Sequence, residues 1–369
     1  EGIVINVFKL VTQDQLRETE IRKILSSGDY PVRNIEQNLA DLRAQIAANN
    51  TGVLELRKMV QHFGLEVVQA YMQHVQDNAE QAVQKLLQNL TSGKFSYTMD
   101  NGANIQVKIT ITGSEAVLDF TGTSQQQENN FNAPISVCKA IVLYVFRTLV
   151  VENIPMNAGC LKPLKIIVPK GCMLNPIYPA AVVAGNVETS QYITDVLYGA
   201  LGIMAASQGT MNNFTFGNEK HQYYETICGG SGAGKNFHGT AAVQTHMTNS
   251  RLTDPEVLEW RYPVLLEEFK IRQNSGGAGK YKGGDGVVRK FLFQEPMTAS
   301  ILSGHRKIPP YGMAGGKAGQ TGKNWIEHDG KKDILTGTEM VKMGIGDRFV
   351  IETPGGGGYG NKVSRVYIL

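Results

Sequence analysis

IQVKITITGSEAVLDF, Ile105–Phe120, is where the sequence changes its period. Apolar side chains at Ile105, Val107, Ile109 and Ile111 alternate with polar ones, and a second alternating run resumes over Ala116–Phe120. With Gly113-Ser114 between the runs, the segment predicts a β-hairpin turning at those two residues. Upstream the spacing is three and four. Ile35, Leu39, Leu42 and Ile46 fall on one face of a helix. A second helix is expected from after Gly64 to about Leu90, ended by Ser92-Gly93, with Val68, Tyr71, Val75, Ala79, Val83, Leu86 and Leu90 inward. Downstream the signals mix. Pro134 sits where the first turn of a helix prefers it, and the run to about Val151 is apolar nearly all round, hence expected buried. Leu164–Val168 reads as a strand. Thr189 or Ser190 can cap a third helix with the stripe Ile193, Val196, Leu197, Ala200, Leu201 and Met204. From Gly209 onward come short strands, such as Val287–Phe293 and Arg348–Ile351, separated by glycine turns. The fold class is therefore α+β: a helical region at 1–92, then a mixed, β-rich region at 93–369. No clear linker divides them, so one large compact unit is expected.

The bulk composition narrows the function classes. Apolar residues at 42% and charged residues at 19% describe a globular chain rather than a disordered one. A net charge of +3 spread over 369 residues gives no electrostatic case for nucleic acid or an anionic membrane surface. The longest apolar stretch, Ala140–Val151, is broken by Arg147 and too short to span a bilayer. No basic stretch leads into an apolar core at the N-terminus, so no signal peptide is expected, and Glu1 stands where a Met would, which points to a processed, excised or truncated chain. The four cysteines, Cys138, Cys160, Cys172 and Cys228, form no CxxC pair and read as buried thiols in a cytoplasmic protein.

The chemistry concentrates between Gly185 and Glu259. GNVETSQ, SQGTMNNFTFG, YYETICGGSGAG and THMTNSRLTDPEVLE crowd Asn, Thr, Ser, Gln and His beside glycines. Buried without partners, such groups cost about 1–3 kcal/mol each, so their density points to a polar cavity. Glu188 and Glu225 are the carboxylates placed to activate water or hold an ammonium group, and His246 is the histidine in polar, small company. Asn186, Ser190 and Gln191 at a helix start, with Ser207, Gln208, Asn212, Asn213, Ser231, Thr248 and Asn249, offer hydrogen bonds to a substrate. The competing reading is that these groups only satisfy buried turns. Asp254 and Pro255 read as the cap and first residue of a helix.

Two patterns fail on their surroundings. GGSGAGK, Gly229–Lys235, has the spacing of a phosphate loop, but Asn236 stands where Ser or Thr must hold Mg²⁺, and β-formers follow instead of a helix. Gly355–Gly360 satisfies GxGxxG with no helix behind it. His62 and His74 read as solvated or packed, and the seven histidines are scattered, so no metal site is expected within the chain.

Many ordered segments resemble one family. DLRAQIAAN (Asp41–Asn49), VLDFTGTS (Val117–Ser124), NAPISV, IPMNAGCLKPL, GNVETSQ, SQGTMNN, GGSGAG, THMTNSRLTDPEVLE, GGAGKYKGGDG and ETPGGGGYG are similar to the hydantoinase B / 5-oxoprolinase family. PPYGMAGG (Pro309–Gly316), VLYVFRTL and MAASQGTMNNFTFGN look most like its 5-oxoprolinase branch, which hydrolyses 5-oxoproline to glutamate using ATP. The resemblance implies a partner A-type subunit or domain of actin-like fold. That partner binds ATP with Mg and phosphorylates the lactam oxygen, while the B part supports hydrolysis within a hetero- or homo-oligomer. Family segments resembling DPYxGGTHLPD and HHADVGG, which supply ligands where a divalent metal is present, do not occur in this chain, so those ligands lie outside it. The alternatives are a hydantoinase B-type subunit acting on a hydantoin or other lactam, or a non-catalytic assembly fragment.

Overall fold

The computed structural model describes residues 3, 5, 7–28 and 31–361. They group into two units, Glu1–Asn78 and Ala79–Leu369. The first unit pairs β1 (Val11–Thr12) with β2 (Gln15–Leu16), followed by α1 (Glu18–Leu25) and α2 (Ile35–Phe63). Asn34 caps α2 by accepting from the Gln37 N–H. Ile21, Leu25 and Leu39 form a small buried cluster, with Ile35 and Leu42 packed against it as the spacing required. Gly64 (φ +85°) separates α2 from α3 (Leu65–Leu87), which carries the chain into the second unit.

Val68, Ala79 and Val83 of α3 are buried as expected. Tyr71 and Val75 are not: they are 66% and 41% exposed. The helix also ends at Leu87, and Gly93, read as part of its terminator, instead starts a strand. A Cβ at Gly93 would lie 2.0 Å from the Ala200 carbonyl, so close backbone approach accounts for this glycine.

The second unit continues with β3 (Gly93–Thr98), β4 (Asn104–Thr112), β5 (Glu115–Asp119), α4 (Ile135–Leu149), β6 (Leu164–Ile167) and α5 (Ser190–Leu201). β4 and β5 form the hairpin read from the sequence, and β3-β4-β5-β6 is a sheet whose last pair is parallel. α5 packs on it and α4 packs on α5, so that Ile141, Val145, Ile193 and Val196 share one buried core with Ile105, Val107 and Leu118. Pro134 stands just before α4 rather than in its first turn. The four cysteines are buried and unpaired, with burial pushing the Cys228 thiol up to about 11.

The chain then adds β7 (Asn213–Gly217), β8 (Gln222–Glu225), α6 (Pro255–Arg261), β9 (Val264–Arg272), β10 (Gly286–Phe293), β11 (Met297–Leu302), β12 (Lys323–His328), β13 (Lys331–Leu335), β14 (Thr338–Met343) and β15 (Arg348–Glu352). These strands make two antiparallel sheets, β13-β12-β15-β10-β9 and β14-β11-β7-β8. Their facing sides share one aromatic core, with Phe214 4.7 Å from Phe349 and 4.9 Å from Phe291 between ring centroids. The whole is the α+β architecture expected.

Asp254 caps α6 through the N–H groups of Glu256 (2.9 Å) and Val257 (3.4 Å), with Pro255 at the first position. Asp254→Ala is expected to destabilise the protein by about 1 kcal/mol. An unchanged urea midpoint would mean that the cap contributes nothing.

Candidate functional site

The helix that carries Glu188 does not begin where a Thr189 or Ser190 cap would put it. A π-helical turn, Gly185–Thr189, runs straight into α5, and both hydroxyls serve other acceptors: Thr189 donates to the Phe131 carbonyl (2.5 Å) and Ser190 to that of Asn186 (2.6 Å). Such wide turns displace the side chains that follow and recur at functional sites. Here the turn is pressed against the preceding loop, since a Cβ at Gly185 would lie 2.3 Å from the Asn132 carbonyl oxygen. The Glu188 carboxyl is thereby held completely buried.

One carboxyl oxygen of Glu188 is saturated. Its Oε1 accepts from Thr210 Oγ1 (2.8 Å), Asn213 Nδ2 (2.8 Å) and the Met211 N–H (3.1 Å). Its Oε2 has no partner. Burial pushes this carboxyl up to about 8, against the opposing pull of the Thr210 and Met211 donors and the Arg306 charge. At neutral pH it is therefore largely the neutral acid. Thr210 extends the network by accepting from the Gly304 and Asn212 N–H groups (both 3.0 Å).

Two cavities flank this acid. One of about 170 Å³ is lined by Met99, Asp100, Asn101, Phe131, Tyr192, Ser303, Gly304, Arg306, Lys307, Thr336, Gly337 and Thr338. Glu188 lies behind its Gly304 wall: a Cβ there would be 3.2 Å from Glu188 Oε2 and 2.8 Å from the Tyr192 hydroxyl. The other, about 530 Å³, is an open groove over Asn213, Thr215, Tyr224, Ser300 and Met340. Tyr224 donates to Asn213 Oδ1 (2.7 Å), so Asn213 connects the groove to Glu188.

A second polar centre surrounds Asp195, buried on α5. Its Oδ1 accepts from the Ser207 N–H (3.1 Å) and lies 3.5 Å from His246 Nε2, while Oδ2 is unpaired. His246 has a left-handed backbone (φ +53°) and its Nδ1 is 3.4 Å from the Tyr144 hydroxyl. His305 stacks on Tyr192 with ring centroids 4.5 Å apart and makes a 2.7 Å hydrogen bond from Nδ1 to the Ile308 carbonyl. Burial holds its imidazole below the usual range, so it is neutral, with its proton on Nδ1. A Cβ at Gly209 would meet both His305 Nε2 (2.1 Å) and Asp195 Oδ2 (3.2 Å), which admits only glycine there.

The remaining polar residues fall into distinct places. Gln191 donates to the Thr245 carbonyl (3.2 Å) and Thr248 Oγ1 (2.9 Å). Gln208 Oε1 accepts from Asn212 Nδ2 (2.8 Å), and Ser207 Oγ accepts from the Gly232 N–H (3.1 Å). Ser231 accepts from the Thr240 N–H (2.8 Å), while Asn186 and Asn249 are exposed. Glu225 faces away from the groove, because it alternates with Tyr224 along β8. It is paired at both oxygens with Arg289, at 2.7 and 2.9 Å. Asp195, His305, Arg306, Tyr192 and Thr210 were not singled out by sequence reasoning. Asp195 breaks the apolar run of α5, which was its one visible signal.

Gly229–Lys235 leads into no helix, and its backbone is packed rather than open: a Cβ at Gly230 would lie 2.0 Å from the Gly284 carbonyl oxygen. It cannot cradle a phosphate chain as it stands. Among the described residues no group of three or more His, Cys, Asp or Glu is placed to hold a metal.

Against known proteins, the chain is 43% identical to a 5-oxoprolinase of Dictyostelium discoideum over 99% of its length and 30% of the relative's. It is 45% identical to 5-oxoprolinase 1 of Arabidopsis thaliana, covering 98% of this chain and 31% of the relative. The chain thus spans about 30% of the length of these two relatives. Its fold superimposes on an ATP-dependent caprolactamase from Pseudomonas jessenii with a TM-score of 0.83 at 24% identity, over 98% of this chain and 67% of that one. The family model described as Hydantoinase B/oxoprolinase matches residues 1–362, and the chain belongs to that family.

Proposed function

We propose that this chain is the lactam-holding, hydrolytic part of an ATP-dependent cyclic amide hydrolase whose substrate is 5-oxo-L-proline. The observation that carries the reading is the match to relatives named 5-oxoprolinase at 43% and 45% identity over 98–99% of the chain. The two cavities around the buried Glu188 offer the mostly apolar walls with a few polar groups that a small cyclic amide needs. ATP and its Mg²⁺ are bound by an A-type partner subunit or domain. Transfer of the γ-phosphoryl group to the lactam oxygen releases ADP and makes the ring carbon electrophilic. Water adds at that carbon, the carbon–nitrogen bond breaks with the nitrogen taking a proton, and a second water releases phosphate, leaving glutamate. Within this chain Glu188 acts as a positioning residue, fixing Thr210 and Asn213 between the cavities. His246 and Asp195 form a second pair for proton handling.

Co-expression of this chain with the A-type partner and the rest of the B part is expected to give ADP release that depends on 5-oxoproline. ATP hydrolysis at one rate with and without every lactam tried would overturn the reading.

A further inference from the structure

Arg306 lines the smaller cavity with its charge unanswered by a directly bonded carboxylate. Its side chain makes two hydrogen bonds, to the Gly304 carbonyl (2.7 Å) and Asn324 Oδ1 (2.9 Å), and both acceptors are neutral. Its Nε–H is buried without a partner. A half-buried guanidinium bonded only to neutral oxygens is unusual, because burying a charge is costly until an opposite charge meets it. Lys307 adds a second positive charge to the lining.

Two carboxyls stand nearby, and neither bonds the guanidinium. Asp100 spends both oxygens on the loop's backbone, accepting from the N–H groups of Arg306 (2.5 Å), Lys307 (3.1 Å) and Ile308 (2.8 Å). Glu188 lies behind Gly304. The opposite part of the lining is apolar: Met99, Phe131 and the Tyr192 ring. A volume of about 170 Å³ suits one small ring, since a cavity of roughly 150 Å³ accommodates benzene.

We infer that this cavity is the subsite for the carboxylate of a cyclic-amide acid, with Arg306 as the specificity-determining anchor. The inference rests on the lactamase reading above and sharpens it: the ring methylenes lie against Met99 and Phe131, and the carboxylate meets Arg306 with Lys307 beside it. Arg suits this role because its planar fork matches a carboxylate. A neutral lactam fits the same space without using the charge.

The test uses the complete enzyme with 5-oxoproline and its carboxylate-free analogue 2-pyrrolidinone, the latter as substrate or competitive inhibitor. Arg306→Met is expected to raise the 5-oxoproline KM by about 30-fold or more and to leave the 2-pyrrolidinone affinity within about threefold. Because Arg306 also ties Gly304 to Asn324, a second variant leaves it intact. Asn101→Asp adds a negative charge at the exposed rim while keeping the acceptor for the Ala103 N–H, and should raise the 5-oxoproline KM about three- to tenfold, less at high salt. Should Arg306→Met fail to fold, Asn101→Asp decides alone. A wild-type enzyme that hydrolyses no lactam defeats the reading of function. One that hydrolyses 5-oxoproline, while the folded variants keep its preference over 2-pyrrolidinone, defeats this inference only.

Discussion

Glu225→Ala is expected to destabilise the protein by about 3–5 kcal/mol. The carboxylate holds Arg289 with two bonds of 2.7 and 2.9 Å inside the core between the two antiparallel sheets, where both side chains are almost inaccessible. The Tyr223 hydroxyl donates to the same carboxylate at 2.8 Å. Removing Glu225 leaves a guanidinium buried between the Phe269 and Phe291 rings, whose centroids lie 4.9 and 5.0 Å away. Those faces attract the cation by about 2 kcal/mol per desolvated ring, against the several kcal/mol an ion loses on leaving water.

Replacing both partners separates the pair's own contribution from the penalty of breaking it. Glu225→Leu with Arg289→Met should recover most of the stability lost in the single variant, since an apolar pair of similar volume costs no desolvation. Urea denaturation reads both. If Glu225→Ala costs under about 1 kcal/mol, Arg289 has found water and the core is more open than the structure indicates. The pair also explains why a carboxylate follows the two tyrosines of the strand QYYE: its position on the inward face of β8 assigns it to the core, a distinction that strand alternation contains but composition does not.

The sequence made some of this plain and hid the rest for physical reasons. The β4–β5 hairpin was legible because period-two burial is a local property, and the Asp254 cap because its donors lie within three residues. The polar run from Gly185 held Glu188, Gln191, Ser207, Gln208, Asn212 and Asn213, all buried. What failed was anything decided by distant chain. A one-sided stripe describes α5 as amphipathic, yet Ser190–Tyr198 is buried on every face, and Asp195 lies outside the stripe. Arg306 and His305 sit in the loop between β11 and β12. Its burial depends on Asp100, more than 200 positions earlier, accepting the loop's N–H groups. On α3 the error runs the other way: Tyr71 and Val75 continue the apolar period but lie exposed, because periodicity records what a helix offers and not what covers it.

Glu188→Gln should change how both stability and substrate affinity depend on pH. The folded carboxyl titrates at about 8, well above the ordinary range near 4.5 that it has in the unfolded chain. Below pH 4.5 both states are protonated and the group contributes no slope. Between pH 4.5 and 8 the native state keeps a proton that the unfolded state has released, so wild-type stability falls as pH rises, by about 1.4 kcal/mol per unit for this group. Above pH 8 the native carboxyl ionises too and the slope vanishes. Gln retains an oxygen for the Thr210, Asn213 and Met211 donors and puts an amide where the acid proton was, so its variant should lack this contribution across the window. Substrate binding follows the same proton. While Glu188 is neutral the Arg306 charge is free to meet a carboxylate; above pH 8 the new anion behind Gly304 competes for it. The 5-oxoproline KM of the complete wild-type enzyme should therefore climb from pH 8, and that of Glu188→Gln should stay flat to about pH 9, below the range near 10 to which burial pulls the Arg306 guanidinium. Equal slopes in denaturation midpoint against pH for the two proteins would show that Glu188 is already ionised at neutral pH. A wild-type KM flat through pH 9, beside the expected difference in stability, would instead separate Glu188 from the Arg306 cavity and leave it a purely structural acid.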